Sequence, residues 1–351
     1  MKQKLVSIFY ALLAACFYAV NMPVSKTLLH SVPPTILAAF LYLGAGLGVG
    51  GMYLLRKDKK QEENLTKKDL PYTVGMIVLD IFAPIALMFG LAHTTSANAS
   101  LLNNFEIVAT SVIALVIFQE TISKRLWLAI FLVTLSSSIL SFEDLSSLRF
   151  SYGSLLVLLA AVCWGFENNC TRKISSKNTY EIVTLKGIGS GLGSLVIAFA
   201  IGEKAPDFKY IALAMLLGFV AYGLSIFFYI KAQNTLGAAK TSAYYAVAPF
   251  IGAFLSFVFL REALSASYAL ALVLMVAGTV LIAADTLLTS HVHLHTHTIV
   301  HTHDGVTHTH VITHSHPHSH LHEGGAHTHN HKIHSIQEVH AHEKDRHSVR
   351  Q

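Results

Sequence analysis

Four charged side chains lie inside long apolar stretches of this sequence: Asp80, Glu106, Glu167 and Lys186. A charge at the middle of a bilayer costs roughly 2.5–3.5 kcal/mol on insertion scales, so each needs a partner or a purpose. A carboxylate held in a water-filled cavity can bind the amine of an organic solute or carry a coupling proton. Asp80 and Glu106 sit near the middle of their stretches, where reaching back to the headgroups is hardest. Glu167 and Lys186 share a depth, which suits a charge-neutral pair. A structural ion pair, or a lysine snorkelling toward the headgroups, is the alternative. Asn21, Asn168, Tyr244 and Tyr245 add hydrogen-bonding groups that an organic solute could use, together with Asn103, Asn104 and Asn169.

A second constellation lies at the C-terminal end. Twenty of the 22 histidines fall between His291 and His347, many of them as H-x-H. The candidate ligands are His291, His293, His295, His297, His301, His303, His308, His310, His314, His316, His318 and His320. Alternation by two would set imidazoles on one side of an extended strand, and imidazole suits Zn, Ni, Co and Cu ions. Capacity for metal does not fix purpose. A metal buffer or sensor, a feeder of metal to a pore, and a passive or pH-responsive tail all remain open. Residues 290–351 have little apolar content and are expected to form a disordered cytoplasmic tail. No cofactor is required by anything else in the chain, and no enzyme signature or nucleotide-binding loop occurs.

The elements that must position the buried charges follow from composition. Of 351 residues 53% are hydrophobic and 13% charged, with a mean hydropathy of +0.51. Too little charge is present to wet a soluble surface, so lipid must face much of the chain. Lysines and arginines sit in short clusters between apolar runs, so the +5 net charge is no argument for nucleic acid. Ten apolar runs are long enough to span, at about 5–25, 34–55, 71–92, 96–118, 124–142, 152–171, 180–202, 209–230, 238–260 and 266–288. They are continuous rather than alternating, which selects helices over a barrel. Leu13-Ala14-Ala15-Cys16 resembles a lipoprotein cleavage box, but the apolar run continues past Cys16 and is read as a retained first span. The three cysteines lie inside apolar runs and read as packing residues.

With the N-terminus cytoplasmic, fifteen lysines and arginines fall on the inner side; Lys26, Arg149, Lys204, Lys209 and Arg261 fall on the outer side. That asymmetry predicts a multi-pass protein of the inner or plasma membrane with both termini cytoplasmic. Expected partners are the lipid bilayer, a small-molecule substrate and, for the tail, metal ions; a homodimer is left open.

The two halves echo each other. Gly44-Ala45-Gly46-Leu47-Gly48-Val49-Gly50 aligns with Gly187-Ile188-Gly189-Ser190-Gly191-Leu192-Gly193 at an offset of 143. Asn21 aligns with Asn168, and Phe105 to Glu120 aligns with Val247 to Glu262. The glycine rows read mainly as close helix packing, with sliding during transport as the functional alternative. Glu120 and Glu262 sit at span ends, where capping of the next helix or pairing with basic neighbours is expected. Five spans per copy is odd, so the second copy enters the membrane from the opposite side. The expected fold class is an all-α integral membrane protein whose ten transmembrane helices form two inverted five-helix repeats, residues 1–145 and 146–289.

Ala246-Val247-Ala248-Pro249-Phe250 through Leu260-Arg261-Glu262-Ala263-Leu264-Ser265 closely resembles the end of an EamA domain, the repeat unit of the drug/metabolite transporter superfamily. Phe105-Glu106-Ile107 through Glu120-Thr121-Ile122-Ser123 is its first-half counterpart, and Cys163-Trp164-Gly165 resembles the start of a unit. The first half departs from the pattern, with Phe17-Tyr18 in place of Trp-Gly and Ile107 where a proline is common. The resemblance implies a ten-helix secondary carrier, often an exporter of amino acids or metabolites, working by alternating access. Proton coupling and a metal-binding regulatory or buffering tail are further expectations. The alternative is a transition-metal exporter or membrane metal sensor that uses the tail. Within the membrane part only His30 and His93 are present, both near span ends, which argues against metal as cargo.

Overall fold

A computed structural model of the chain describes residues 2–56, 63–118, 123–144, 149–174, 177–236, 241, 244–262, 265–303 and 306–321. Among these residues nine helices are long and apolar enough to cross a membrane, and Ala248–Leu260 is a shorter tenth. Where residues are described, the runs read from hydropathy coincide with these helices. No more than 61% of any span's most apolar window is buried within the protein. Phe82, Val116, Phe131, Val196, Phe259 and Val273 stand more than half exposed, as lipid-facing side chains do.

Residues 2–286 form one compact unit. The pairing of its helices follows the repeat. Span 2 (Pro34–Leu55) packs along span 7 (Thr179–Ala200). Span 3 (Leu70–His93) lies on span 6 (Tyr152–Ile174), and its repeat counterpart, span 8 (Phe208–Leu236), lies on span 1 (Lys2–Leu28). Span 4 (Ser96–Phe118) meets span 6, as Ala248–Leu260 of span 9 meets span 1. Exchanging the two repeats leaves this list of neighbours unchanged, as a pseudo-two-fold relation requires. Spans 5 (Lys124–Ser141) and 10 (Ala266–Leu287) meet where the Ser136 hydroxyl donates to the Ala271 carbonyl at 2.7 Å. At the crossing of spans 2 and 7, Gly46 and Gly187 touch backbone to backbone. A Cβ on Gly46 would stand 2.6 Å from the Ile188 nitrogen, so no side chain fits.

Three spans depart from continuous helices. Span 1 turns at Val20 between Lys2–Ala19 and Asn21–Leu28, where Pro23 has no N–H for the Ala19 carbonyl. Span 4 is Ser96–Leu102 followed by Phe105–Phe118. At its turn the N–H groups of Asn104 and Glu106 donate to carbonyls three residues back, Leu101 and Asn103, rather than four. Span 9 turns at the equivalent place, Ala246–Val247, ahead of Ala248–Leu260. Span 8 carries a π-helical turn at Phe219–Leu224, which rotates Tyr222 relative to a regular helix.

A short antiparallel pair, Phe142–Asp144 with Arg149–Phe150, joins the repeats. The chain beyond residue 286 is a second unit. Leu288–His303 pairs antiparallel with Val306–Leu321. Alternating His with Thr, Val and Ile suits a strand. The register sets His291 opposite His318, His293 opposite His316, His295 opposite His314 and His301 opposite His308. All twelve candidate ligand positions thus share one parity of the ladder. Their side chains, and residues 322–351 altogether, lie outside the described part.

Candidate functional site

Spans 2, 3, 6 and 7 bring Asp80, Glu167 and Lys186 to one point. The Lys186 ammonium lies 3.0 Å from Asp80 Oδ2 and 2.9 Å from Glu167 Oε1. Asp80 is fully buried and Glu167 is 2% exposed. Lys186 therefore does not reach for the headgroups; it is the ammonium shared by two carboxylates. The remaining Asp80 oxygen accepts from the Tyr42 hydroxyl at 3.0 Å and from the Trp164 indole N–H at 3.1 Å. The Thr171 hydroxyl donates to Glu167 one helical turn away.

Glu106 is placed differently. It stands in the first turn after the break in span 4, half-buried, and its Oε1 accepts from the Asn168 amide at 2.7 Å. Asn168 also donates to the Thr110 hydroxyl at 3.3 Å. No lysine or arginine stands within ion-pair distance of Glu106 among the described residues. The three intramembrane carboxylates thus have one ammonium between them.

Tyrosines link the two groups. Tyr42 and Tyr222 have ring centroids 5.2 Å apart, Tyr222 and Tyr18 5.7 Å, and Tyr18 and Tyr245 6.1 Å. Each has a polar anchor. Asn21 donates to the Tyr222 hydroxyl at 3.0 Å, Asn103 donates to the Tyr18 hydroxyl at 3.1 Å, and Tyr245 shares a 3.3 Å hydrogen bond with Ser225. The site is a row of phenols with a lysine–dicarboxylate cluster at its Tyr42 end, and Glu106 lies on span 4 just after Asn103, which holds the Tyr18 hydroxyl. Negative ring faces and carboxylates together suit a cationic amine.

Of the residues expected from sequence, Asp80, Glu167 and Lys186 meet directly, Glu106 meets Asn168, and Asn21 and Tyr245 join through tyrosines. Tyr244 is half-buried and has no hydrogen bond or ring contact to this network among the described residues. Tyr18, Tyr42, Trp164, Thr171 and Tyr222 were missed as site residues. One signal could have found two of them: Trp164 lies in Cys163-Trp164-Gly165, which resembles the start of a repeat unit, and Tyr18 lies in the corresponding Phe17-Tyr18.

Glutamates tie the repeats together at one end of the bundle. Glu203 accepts from the Thr35 and Ile36 N–H groups at 3.2 and 2.8 Å, capping span 2. Glu262 accepts from the Ser96 and Ala97 N–H groups at 2.7 and 2.8 Å, capping span 4. Capping was expected of Glu262, but of the next helix; it caps one in the opposite repeat. Glu120 lies outside the described residues. Lys26 caps the end of span 3 through the Leu91 and Thr94 carbonyls at 2.6 and 2.7 Å. A cavity of about 600 Å³, lined by Lys26, His93, Asn98, Glu262 and Tyr268 among others, opens at this end. At the opposite end Lys177 pairs with Glu63 at 2.7 Å, and the Asn178 N–H donates to the Glu63 carbonyl at 2.8 Å. The Lys177 hydrogen bond and charge hold the exposed Glu63 carboxyl below its ordinary range. Asn178 and Thr35 are 143 residues apart, so the ties at the two ends are repeat counterparts.

Similarity to known proteins agrees with this architecture. An uncharacterized transporter of Methanothermobacter thermautotrophicus is 24% identical over 291 residues, covering 76% of this chain and 83% of its own. The uncharacterized transporter YyaM of Bacillus subtilis is 24% identical over 234 residues, 64% of this chain and 76% of that protein. A solved structure described only as the crystal structure of a protein superposes with a TM-score of 0.59 at 16% identity, covering 79% of this chain and 95% of the other, which shows a shared fold. The model of the EamA-like transporter family matches twice, over residues 5–142 and 151–284. With both repeats matched, and nine spans and a shorter apolar helix among the described residues, the chain is a membrane transporter and belongs to the EamA-like transporter family of the drug/metabolite transporter superfamily.

Proposed function

We propose that this transporter is a proton-coupled exporter of a small polar or zwitterionic metabolite bearing an amine, an amino acid being the simplest case. It works by alternating access in the inner or plasma membrane, with both termini cytoplasmic. The carrying observation is the charge imbalance at the centre: Asp80 and Glu167 share Lys186, while Glu106 has the neutral partner Asn168. A carboxylate buried without a cation must be neutralised by a proton or by a cation that enters. A proton and a solute amine then compete for Glu106, and that competition couples their movements. Tyr18, Tyr222 and Tyr245 offer the amine aromatic faces. The Glu203 and Glu262 caps, and the Lys177–Glu63 pair opposite, are contacts that one repeat must break as it rocks against the other.

The test uses the full chain in proteoliposomes loaded with a pH-sensitive dye, challenged with a panel of amino acids and polyamines. Solutes that move protons through the wild type should move none through Glu106→Gln, while uncoupled exchange persists. Wild-type proton flux in Glu106→Gln would remove Glu106 from coupling.

The tail accompanies this reading as a cytoplasmic buffer for Zn, Ni, Co or Cu ions. Its support is the common parity of the twelve histidine positions in the hairpin register. Among the described side chains no group of three His, Cys, Asp or Glu gathers to hold a metal, which favours an organic cargo over a metal one. Truncation after Leu288 should leave organic transport intact and lower cellular metal tolerance. Loss of both together would favour metal as the cargo.

A further inference from the structure

A small void, walled mostly by apolar groups including Met22 and Ala248, lies beside the tyrosine row, where the breaks of spans 1, 4 and 9 converge. Its volume is about 10 Å³, room for one water-sized species. Tyr18, Ala19, Ser100, Asn103, Pro249 and Gly252 are among its walls. Ser100 and Asn103 are 1% and 5% exposed, yet Ser100 Oγ and Asn103 Oδ1 have no hydrogen-bond partner among the described residues. Buried oxygens of this kind are almost always satisfied in folded proteins.

The backbone adds a further acceptor. Pro23, four residues after Ala19, has no N–H to give the Ala19 carbonyl. The absent side chain of Gly252 keeps the space open. A Cβ built there would stand 3.0 Å from Ser100 Oγ and 3.3 Å from the Ala19 oxygen. The amide donor of Asn103 itself, Nδ2, is already given to the Tyr18 hydroxyl.

We propose that this void is a binding site for a small monovalent cation of sodium type, held by the Ala19 carbonyl, the Ser100 hydroxyl and the Asn103 amide oxygen. The chemistry selects the class. Neutral oxygen acceptors converge, which favours a hard cation over an anion. None of these three groups is a carboxylate, whereas divalent sites in proteins draw on carboxylates. Freed carbonyls at the ends of half-helices are a recurring source of such ligands in secondary carriers. The cation would tie together three helix breaks, two of them repeat counterparts, beside the turn that carries Glu106. The occupant of chemically similar shape is an ordered water, which could donate to Ala19 and Asn103 and accept from Ser100.

The experiment separates the two by cation specificity. The detergent-purified full chain is melted across titrations of sodium chloride, potassium chloride and choline chloride at constant ionic strength. For the wild type, a saturable stabilisation by sodium that choline does not reproduce is expected. At a concentration a hundred times the dissociation constant, the folded state should gain about a hundred-fold over the unfolded one. Ser100→Ala removes a ligand and Gly252→Ala fills the void; both should abolish the sodium-specific shift while still binding whichever solute the wild type binds. If Gly252→Ala is not monodisperse, Ser100→Ala decides. Equal responses of the wild type to sodium and choline, or a wild-type sodium response in Ser100→Ala, would assign the void to water. The readout is binding alone, so it is independent of the solute and of proton coupling.

Discussion

Replacing Lys186 by methionine should destabilise the membrane unit more than any other single change at the site. The ammonium lies 3.0 Å from Asp80 and 2.9 Å from Glu167, and both carboxylates are essentially out of contact with solvent. Removing one member of a buried ion pair typically costs about 3–5 kcal/mol, because the remaining charge stays desolvated. Here two carboxylates are stranded, so the upper part of that range is expected. At about 2 °C per kcal/mol for a large chain, the melting temperature should fall by roughly 8–10 °C. Lost packing contributes little, since methionine preserves most of the lysine stem. The assay is a double-mutant cycle on thermal unfolding in detergent, with Lys186→Met, Asp80→Asn and their combination, and Glu167→Gln added last. Asp80→Asn alone should cost less, because Lys186 keeps Glu167. The triple variant should recover much of the loss, since no stranded charge remains. If Lys186→Met melts like the wild type, or if the three effects simply add, the cluster is not an interdependent buried ion pair and its place in the charge argument fails.

Two further predictions concern the helix contacts. Gly46→Val should prevent spans 2 and 7 from closing, giving poorly expressed or aggregated protein. Gly51→Ala, which meets nothing within 4 Å, should be neutral or stabilise by about 0.5–1 kcal/mol. Glu203→Gln and Glu262→Gln each weaken a charged cap by about 1 kcal/mol, which should raise the population open at that end about five-fold. Thiol labelling of a single cysteine placed at Asn98, with Cys16, Cys163 and Cys170 replaced, reads this directly; unchanged labelling in both would mean the caps do not hold that end shut.

The apolar runs that cross, the duplication and the presence of charges at depth were determined by the sequence alone. The physical reason is that lipid imposes a one-dimensional rule: a run of about 20 apolar residues must cross, wherever its neighbours are. An odd number of crossings then reverses the second copy whatever the packing. Depth along a span could also be counted, which is why Glu167 and Lys186 were legible as a pair.

Which residues meet across helices was decided only by the tertiary structure. Contact depends on how each helix is rotated about its axis, and a span apolar on nearly every side carries little signal of that rotation. So Asp80 joined Lys186 through the packing of span 3 on spans 6 and 7, while Glu106, at comparable depth, turned to Asn168. The breaks in spans 1 and 4 were likewise invisible to hydropathy, although Pro23 and the polar Asn103-Asn104 pair marked their places. Glu203, an ordinary loop residue by sequence, caps a helix 167 residues away. The sequence sufficed for a carrier in two inverted halves; that one carboxylate is left without a cation could be learned only from how those halves pack.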